Sequence, residues 1–327
     1  MKNIREAHLG VWPFRVNLPP AMADKISILI ITYNRPADLL DLLKSIDTQT
    51  NKESILEEVL ILDNASTVSY GEVTTYIDTH PELKAKLILS DTNSGVAGGR
   101  NTLMGIAKAP LMLVLDDDTV FTKPTDLQKL SGIFDEPFFK EANTGVITTR
   151  VIYYDNNEVQ VTAFPHKKYD QYKDNPRFLT SYFIGCAHLM KREMLAKTGL
   201  YPSDFHYGME EYDLGYRILN AGYTIGYDNG ITIAHKESPL GRQANYKKLQ
   251  MQWVNKSKVA WRYLPFQYFV TTALSWAIQY LRMAKGHIGA FFTALLQVLK
   301  IPFTEKRNTV SKSTLEYLRK VEARLKY

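Results

Sequence analysis

The sequence predicts an α/β fold with a mostly parallel, doubly wound sheet, followed by a C-terminal helical appendage. Between residues 25 and 118, short apolar runs rich in β-branched residues alternate with segments of helical periodicity. Such runs are typical of strands buried on both faces, and their alternation with helices indicates a parallel sheet. Beyond residue 253 the chain becomes basic and rich in aromatic residues, which predicts a separate helical region.

Four strands are predicted in succession, with helices between them. The first lies in KISILIITYN, Lys25 to Asn34, and the helix after it in RPADLLDLLKSIDTQ, where Pro36 suits the first turn. EEVLILDNAS gives a second strand and loop, with a helix from about Tyr70 to Thr79. KLILSDTNSG gives the third, with a helix from about Gly99 to Ala107, and LMLVLDDD gives the fourth.

Composition and charge exclude several classes of protein. The single cysteine, Cys186, excludes an intramolecular disulfide and a cysteine-based zinc cluster. The N-terminal residues contain no long apolar segment, so we expect no secretory signal and a cytoplasmic protein. The net charge is +6, but residues 253–327 hold thirteen Lys and Arg against three Asp and Glu, which leaves −4 for the rest. This asymmetry argues against nucleic acid binding by the whole surface and indicates a basic contact region.

Polar residues follow all four predicted strands, as TYN, DNAS, NSG and DDD. Ligands of open α/β sheets bind at the carboxyl ends of the strands. A solvated loop explains one such case easily, but it explains four aligned cases poorly. The sequence therefore predicts that these loops converge on one site.

The second and third loops carry groups suited to a nucleotide. Asp63 can accept a hydrogen bond from the imide N–H of a uracil or thymine ring, although an Asx-turn or a helix N-cap explains it equally well. Gly95, Gly98 and Gly99 allow a ligand to approach the backbone closely, and Arg100 offers a bidentate fork for phosphate. A glycine-rich loop alone is a weak indication of function.

The fourth loop, LDDDTV, is suited to a divalent cation. Asp116 and Asp118 point to the same side if the strand geometry persists, and Asp117 points to the other. Alternate carboxylates can coordinate Mg²⁺ or Mn²⁺, which accept substrate phosphates as further ligands. Taken by itself, the motif is explained more simply by a capped turn.

In this order, ISILIITYNR, LILDNAS, NSGVAGGRN and LDDDTV resemble the nucleotide-sugar-binding half of family 2 glycosyltransferases. Their form is similar to the branch that contains rhamnosyl- and galactofuranosyl-transferases. The resemblance implies a GT-A fold, with a Rossmann-like sheet flanked by helices, and LDDDTV corresponds to the family's DXD signature. It covers roughly Lys25 to Ser238.

The second half of the family's pattern is also present. Gly185 in FIGCAHL corresponds to the glycine of the family's FxG element, and MEEYDLGYR corresponds to E-D-x-D-L-x-x-R. Glu211 stands where the family usually has its catalytic aspartate, and Asp213 is the second candidate for that role. Asp213 and Arg217 are four residues apart, so they can also form a structural pair. The resemblance places His235, in ITIAHKES, near the metal or the diphosphate.

The resemblance implies an inverting, metal-dependent transfer from a nucleoside diphosphate sugar, with UDP or dTDP favoured, to a glycan or lipid-linked acceptor in polysaccharide or glycoconjugate synthesis. Glu211 would take the proton of the acceptor hydroxyl. The metal, Mn²⁺ or Mg²⁺, would be held by Asp116, Asp118 and His235. The predicted nucleotide-sugar-binding residues are Thr32, Asn34, Arg35, Asp63, Asn93, Gly95, Gly99, Arg100, Asp117 and Gly185.

We predict three parts of the chain: an N-terminal arm (1–24), a GT-A domain (25–245) and a basic, aromatic-rich helical region (246–327). The 18 uncharged residues from Leu264 to Leu281 reach the lower limit for a membrane span, but they include several polar side chains. Amphipathic or re-entrant helices lying on an anionic leaflet fit better, with residues 253–304 as the contact and the inner face of the cell membrane as the location. The alternative is a packed helical subdomain or a dimer interface.

Two other functions compete with this interpretation. A nucleotidyltransferase would be expected to carry a glycine-rich, basic loop directly after the first strand, and TYNRP is not such a loop. A non-catalytic nucleotide-sugar-binding or scaffold protein is supported by Glu211 alone, where the family usually has aspartate.

Overall fold

The computed structural model describes residues 25–238, 245–283 and 287–325. The predicted N-terminal arm, residues 1–24, lies outside the described residues. The predicted boundary at residues 245 and 246 falls at the start of a long helix, and the division into three parts stays a prediction.

The strands and helices alternate over the first part of the chain, as predicted. The strands are β1 (Ile26–Thr32), β2 (Leu56–Asp63), β3 (Ala85–Leu89), β4 (Leu111–Asp116), β5 (Thr119–Phe121), β6 (Thr144–Tyr153), β7 (Arg177–Thr180), β8 (Ala187–Lys191) and β9 (Thr224–His235). The helices are α1 (Pro36–Asp47), α2 (Lys52–Ile55), α3 (Gly71–Thr79), α4 (Gly95–Ile106), α5 (Asp126–Gly132), α6 (Pro137–Glu141), α7 (Tyr169–Tyr172), α8 (Leu195–Thr198), α9 (Glu210–Asn220), α10 (Asn245–Tyr263), α11 (Phe266–Met283), α12 (Ile288–Thr304) and α13 (Lys312–Lys320).

All of these strands belong to one sheet, in the order β3-β2-β1-β4-β8-β6-β9-β5, with β7 also paired to β9. The four strands from β3 to β4 are parallel, which confirms the predicted α/β fold. Beyond them the sheet is mixed, because β8 runs antiparallel to both of its neighbours. The register pairs Thr32 with Asp63 and Ile31 with Asp116, so the carboxyl ends of β1, β2 and β4 lie side by side.

The sheet is apolar because helices cover both of its faces. On β1, Ile28 and Ile30 belong to the cluster that contains Leu42 of α1, whereas Leu29 belongs to the cluster on the other face with Leu103 of α4. Burying each such side chain contributes about 1.5–3 kcal/mol. This two-sided packing fixes the strand ends that form the site.

Helix α4 begins at Gly95, four residues before the predicted start at Gly99. Gly95 has a positive φ of 72°, a conformation that glycine adopts without steric cost. A Cβ at Gly99 would lie 2.9 Å from Ile31 Cδ1, so this glycine lets the helix approach β1 closely. The glycines therefore serve the packing of a helix as well as the loop.

The C-terminal region folds as a helical unit with its own core. Trp253 of α10 and Tyr280 of α11 are buried, and they pack with Val298 of α12. The last helix of this region, α13, spans Lys312–Lys320. None of the helices that the structure describes is long and apolar enough to cross a membrane.

Candidate active site

The three aspartates of LDDDTV face three different neighbours. Strand β4 ends at Asp116, and the chain turns through Asp117 and Asp118 before β5 begins. The Thr119 hydroxyl donates to the Asp116 carbonyl oxygen (2.7 Å) and closes this turn. The strand geometry therefore does not persist through the motif, and each carboxylate has its own environment.

Asp116, Asp118 and His235 come together as predicted for a metal site. Each offers one ligand atom, and these atoms lie within 4.8 Å of one another. The antiparallel pairing of Thr119 with His235 brings β9 beside the motif, so that His235 Nε2 lies 3.2 Å from Asp118 Oδ1. Burial would raise the pKa of Asp118, but His235 and Arg35 outweigh it and lower this pKa, which favours the carboxylate form.

The orientation of the His235 ring is fixed by Gln160, which the sequence analysis did not identify. Gln160 Nε2 donates to Glu237 Oε1 (2.8 Å), so its Oε1 faces His235 Nδ1 at 2.9 Å. Because an amide oxygen only accepts hydrogen bonds, Nδ1 carries a proton, and in the neutral ring the lone pair of Nε2 faces Asp118. Burial would lower the pKa of His235, but the Asp118 carboxylate outweighs it and raises this pKa.

This group of side chains fits a divalent cation. Asp118 Oδ1 is buried and accepts no hydrogen bond from the residues that the structure describes. Two carboxylates and an imidazole form a donor set for Mn²⁺ or Mg²⁺. A cation would satisfy both Asp118 Oδ1 and the Nε2 lone pair, and a proton on His235 competes for the same place.

Asp117 is bonded to other residues of the protein, and its binding of a nucleotide sugar stays a prediction. Its side chain is buried, Oδ2 accepts from Thr32 Oγ1 (2.8 Å), and Oδ1 accepts from Arg35 Nη1 (2.9 Å). Burial raises the pKa of Asp117 to about 7, against the opposing effect of Arg35. Both oxygens are engaged within the protein, so Asp117 holds the first and fourth loops together.

The predicted residues of the first loop also bind other parts of the protein. Thr32 is 1% exposed, and its hydroxyl lies 2.7 Å from that of Tyr70. Asn34 Oδ1 accepts from the Thr67 amide at 2.8 Å. Arg35 Nη1 lies 3.1 Å from Asp118 Oδ2, so it stabilises one predicted metal ligand. Thr32 is therefore buried, whereas Asn34 and Arg35 are partly exposed, and nucleotide-sugar binding by the three residues stays a prediction.

In the second and third loops the polar side chains form turns. Asp63 Oδ1 accepts from the Ser66 amide three residues on (2.9 Å), a local structural bond of the kind given above as an alternative. Asn93 Oδ1 accepts from the Gly95 amide (3.0 Å) and from Asn64 Nδ2 (3.1 Å). Nucleotide binding by Asp63, Asn93 and Gly95 stays a prediction, because each residue also has a structural function.

Arg100 connects the metal-site aspartates to the predicted base. Its side chain is 3% exposed, Nη1 donates to Glu211 Oε1 (3.0 Å), and Nη2 donates to Asp116 Oδ1 (2.9 Å) and to the Gly185 carbonyl oxygen (2.8 Å). We predicted that Arg100 binds phosphate. The structure engages its guanidinium with two carboxylates and a backbone oxygen, and phosphate binding by Arg100 stays a prediction.

Glu211 faces the cavity from the first turn of α9, and Gly185 leaves room for its longer side chain. A Cβ at Gly185 would lie 2.2 Å from Glu211 Oε1, well inside van der Waals contact. Gly185 therefore lies beside Glu211 and Arg100, and its binding of a nucleotide sugar stays a prediction.

Asp213, the second predicted catalytic residue, is buried among its partners, and its role as the base stays a prediction. Its carboxylate is 1% exposed, with Oδ1 2.7 Å from Arg217 Nη2 and Oδ2 3.0 Å from Arg262 Nη1. The Tyr263 hydroxyl also donates to Oδ2 at 3.0 Å. Asp213 therefore joins α9 to α10, and the alternative of a structural pair with Arg217 is confirmed.

A cavity of about 620 Å³ lies beside these groups. Its lining includes the predicted residues Asp116, Glu211 and His235. It also includes residues that were not predicted from the sequence, which are Gln160, Tyr182, Tyr212, Lys167, Lys256 and Arg324. A polar residue facing a histidine across 75 positions gives no local signal. The sequence shows that residues 253–327 are basic. It does not show that Lys256 and Arg324 of this region line the cavity.

Comparisons with known proteins agree with this architecture. The family model described as glycosyl transferase family 2 matches residues 27–199. An uncharacterized protein of Haemophilus influenzae is 27% identical over 181 residues, which is 54% of this chain and 92% of that protein. An uncharacterized glycosyltransferase of Bacillus subtilis is 27% identical over 187 residues, which is 56% of this chain and 63% of that protein. The match therefore spans less than two thirds of the Bacillus relative.

Solved structures show the same fold at low identity. A mannosyltransferase of Pyrobaculum calidifontis, in complex with GDP-Man and Mn²⁺, has a TM-score of 0.57 at 18% identity, covering 93% of this chain and 81% of that one. GalNAc-T7 with UDP, GalNAc and Mn²⁺ has a TM-score of 0.60 at 16% identity, covering 76% and 50%. Residues 1–349 of S. aureus TarS with UDP-GlcNAc give 0.59 at 14% identity, covering 85% and 81%.

Proposed function

Because this chain belongs to the family 2 glycosyltransferases, we propose that it transfers a sugar from a nucleoside diphosphate sugar, with UDP or dTDP favoured, to a hydroxyl group of a glycan or lipid-linked acceptor. The observation that carries the proposal is the contact of Arg100 with both Glu211 and Asp116. It holds a carboxylate base beside the predicted metal site, at one cavity. Family membership removes the nucleotidyltransferase alternative.

Asp116, Asp118 and His235 are the residues proposed to hold Mn²⁺ or Mg²⁺. Bound there, the cation would neutralise charge on the leaving nucleoside diphosphate. The presence of Mn²⁺ with the Pyrobaculum mannosyltransferase and with GalNAc-T7 supports this choice. Arg35 holds Asp118 Oδ2 at 3.1 Å, and Gln160 orients His235, so both ligands are positioned before a cation arrives.

Glu211 is proposed to be the base. Arg100 engages Oε1, and none of the described hydrogen bonds uses Oε2, which leaves that atom for the acceptor. Oε2 takes the proton of the acceptor hydroxyl as its oxygen attacks the anomeric carbon. The bond to the nucleoside diphosphate breaks on the opposite face, so the configuration inverts and no covalent sugar–enzyme intermediate forms.

The nucleotide is proposed to lie on the first two loops. Asp63 Oδ1 is used by the Ser66 amide, so Oδ2 is the atom proposed to accept the imide N–H of uracil or thymine. Guanine also offers N–H donors, which makes UDP and dTDP a preference. The UDP-GlcNAc complex of TarS and the GDP-Man complex of the Pyrobaculum enzyme show that proteins of this fold bind either class.

A thermal-shift panel tests the donor and the cation together, since a ligand that binds only the native state raises stability, by about 2.7 kcal/mol at 100 times Kd. We expect a UDP- or dTDP-sugar to raise Tm in the presence of Mn²⁺. Most of this increase should be lost in EDTA or in the Asp118→Ala variant. Glu72→Ala, on the exposed side of α3, is the matched control. Equal shifts with and without Mn²⁺ would contradict the metal site, and no shift with any sugar nucleotide would contradict the donor.

The helical region is proposed to lie on an anionic membrane surface, which suits a lipid-linked acceptor in polysaccharide or glycoconjugate synthesis. On α11 and α12, exposed apolar residues recur at intervals of three or four, so each set lies along one face of its helix. They are Phe266, Val270, Leu274, Ile278 and Leu281 on α11, and Ile288, Phe292, Leu296, Leu299 and Phe303 on α12.

Charge distinguishes a membrane from a second copy of the chain as the partner of these faces. Residues 253–304 include no Asp or Glu, and Arg282 and Lys300 are exposed among the apolar residues, which favours an anionic lipid surface. We expect the protein to sediment with anionic vesicles at low salt, and Leu274→Ser with Phe303→Ser to reduce this binding. Protein that stays in the supernatant as a stable dimer would contradict the membrane and support the dimer interface.

A further inference from the structure

The C-terminal segment after α13 forms part of the wall of the 620 Å³ cavity. Lys167 Nζ donates to the Ala323 carbonyl oxygen (3.2 Å), and His166 Nε2 lies 3.3 Å from that of Val321. Lys168 forms an ion pair with Glu322. These contacts bring Arg324 to the cavity, where it joins residues from two other segments.

Three cations line this wall, and they come from distant parts of the sequence. They are Lys167 before α7, Lys256 of α10 and Arg324 after α13. The carboxylates in the same lining are Asp116 and Glu211, and both already contact Arg100. The cavity therefore carries an excess of positive charge away from the reacting groups.

Positive charge acts on Lys256, whose ammonium also lies 4.6 Å from the centroid of the Trp276 ring. Burial first, and then the positive charge of Arg324, lower the pKa of Lys256 to about 8. An anion in the cavity would offset the repulsion at Lys256.

Aromatic side chains line the cavity together with the base and these cations. Tyr182 and Tyr212 stack with ring centroids 4.5 Å apart and planes at 18°, and both belong to the lining together with Glu211. Such rings provide a flat apolar surface for the C–H face of a sugar, while their hydroxyl groups stay polar. The arrangement suits a sugar ring that bears a charged substituent.

We propose that the acceptor carries an anionic group, a phosphate or a carboxylate, which Lys167, Lys256 and Arg324 bind while the acceptor hydroxyl reaches Glu211. The proposal rests on the proposed function, because it assigns this cavity to the acceptor. It narrows the acceptor to a phosphorylated glycan, a phosphate-linked lipid or an acidic sugar.

Binding of three matched probes tests the charge of the ligand. The full chain is first saturated with Mn²⁺ and nucleoside diphosphate, which keeps anions out of the donor site, and is then titrated with methyl glucoside, methyl glucuronide and methyl glucoside 6-phosphate. We expect one or both anionic probes to bind at least about tenfold more tightly than the neutral one, as for a charge-assisted hydrogen bond. The tighter of the two identifies carboxylate or phosphate. Equal or undetectable binding of all three overturns the proposal.

Variants locate the binding site. Arg324→Gln and Lys256→Gln should each weaken binding of the preferred anionic probe about tenfold, and Arg319→Gln, an exposed position on α13 outside the lining, should not. Circular dichroism verifies that each variant is folded. Unchanged affinity in both cavity variants overturns the proposal.

Hydrolysis of nucleotide sugars by the wild-type protein, without acceptor, separates the two proposals. If the protein turns over the donor but binds all three probes equally, the anionic acceptor is overturned and the proposed function stands. Selective binding of anionic probes by a protein that neither binds nor cleaves any nucleotide sugar overturns the proposed function, and leaves the cationic cavity established.

Discussion

Arg100 Nη1 lies 3.0 Å from Glu211 Oε1, across 111 positions of the chain, and the other terminal nitrogen of the same guanidinium lies 2.9 Å from Asp116 Oδ1. A buried arginine stays protonated and presents its donors in a fixed plane. The two carboxylates are therefore held at a fixed separation, and the position of the base is tied to that of the predicted metal site.

The Arg100→Lys variant should separate the effect of the guanidinium geometry from the effect of its positive charge. An ammonium group keeps the charge but is not a planar fork that spans two carboxylates and the Gly185 carbonyl oxygen. We expect Arg100→Lys to fold and to lose roughly 100-fold in kcat, as for a misplaced catalytic group, with a smaller change in the KM for donor. Steady-state kinetics with Arg319→Lys as the control measures this, and a kcat within twofold of wild type would rule out positioning by Arg100.

Gly185→Ala should displace the base without removing it. The added Cβ would lie 2.2 Å from Glu211 Oε1, so the carboxylate must move, and we expect kcat to fall by roughly 100-fold. Gly105→Ala is the matched control, because nothing lies within 4 Å of its Cβ and alanine favours the helix. Turnover of Gly185→Ala close to that of Gly105→Ala would show that the position of Glu211 is not critical.

Glu211→Gln should abolish turnover while the protein stays folded and still binds donor. The amide has almost the same shape as the carboxylate but takes up no proton, and loss of a general base costs about 100- to 10,000-fold in rate. Single-turnover assays measure the rate, and thermal shift with the donor verifies binding. A rate near wild type would mean that another group takes the proton.

Asp213→Asn should reduce stability and leave turnover per folded molecule unchanged, in contrast to Glu211→Gln. The carboxylate pairs with Arg217 and Arg262 in a buried setting, and removing one partner of such a network costs about 3–5 kcal/mol. We expect a large loss in the free energy of unfolding, measured with denaturant, and retained turnover per folded molecule. Normal stability combined with lost turnover would support Asp213 as the base.

Glu210 should make stability depend on pH. It is 4% exposed and its Oε2 has no hydrogen-bond partner among the described residues. Burial first, and then the negative charge of Glu211, raise its pKa from 4.5 to about 8. The folded protein thus binds more protons than the unfolded chain between these values, so its stability falls as the pH rises from about 4.5 to about 8.

Glu210→Gln replaces the titratable carboxyl group with an amide. The Tm of this variant should therefore rise relative to that of wild type as the pH is raised from 5 to 8. Asp117, whose pKa of about 7 is also raised by burial, acts in the same direction in both proteins and cancels in the difference. A Tm difference that is constant over this range would show that Glu210 does not change protonation there.

The sequence predicted the parts of the structure that depend on local pattern. Periodicity located β1 to β4, the strand-end rule located the aspartates of LDDDTV at the site, and the family resemblance added His235, which lies with Asp116 and Asp118. The four-residue spacing of Asp213 and Arg217 predicted the pair that the structure shows.

The sequence could not predict which charges pair between distant segments of the chain. Arg100 was assigned to phosphate because an arginine after a glycine-rich loop suits that ligand, and its choice of Glu211 is decided by packing between distant elements. Gln160 and Arg324 reach the site from segments with no motif of their own. Local patterns determine where elements form, whereas such contacts depend on how the whole sheet and the helical region come together.

The contact of Lys167 with Ala323 joins residues that are 156 positions apart. Closing so long a loop is entropically costly until both ends are already held in place. The wall of the cavity should therefore form late, after the sheet has ordered around β9 and after α10 has packed on it. On this basis, acceptor binding should recover later during refolding than the burial of Trp253. A complete cavity then indicates that folding has finished.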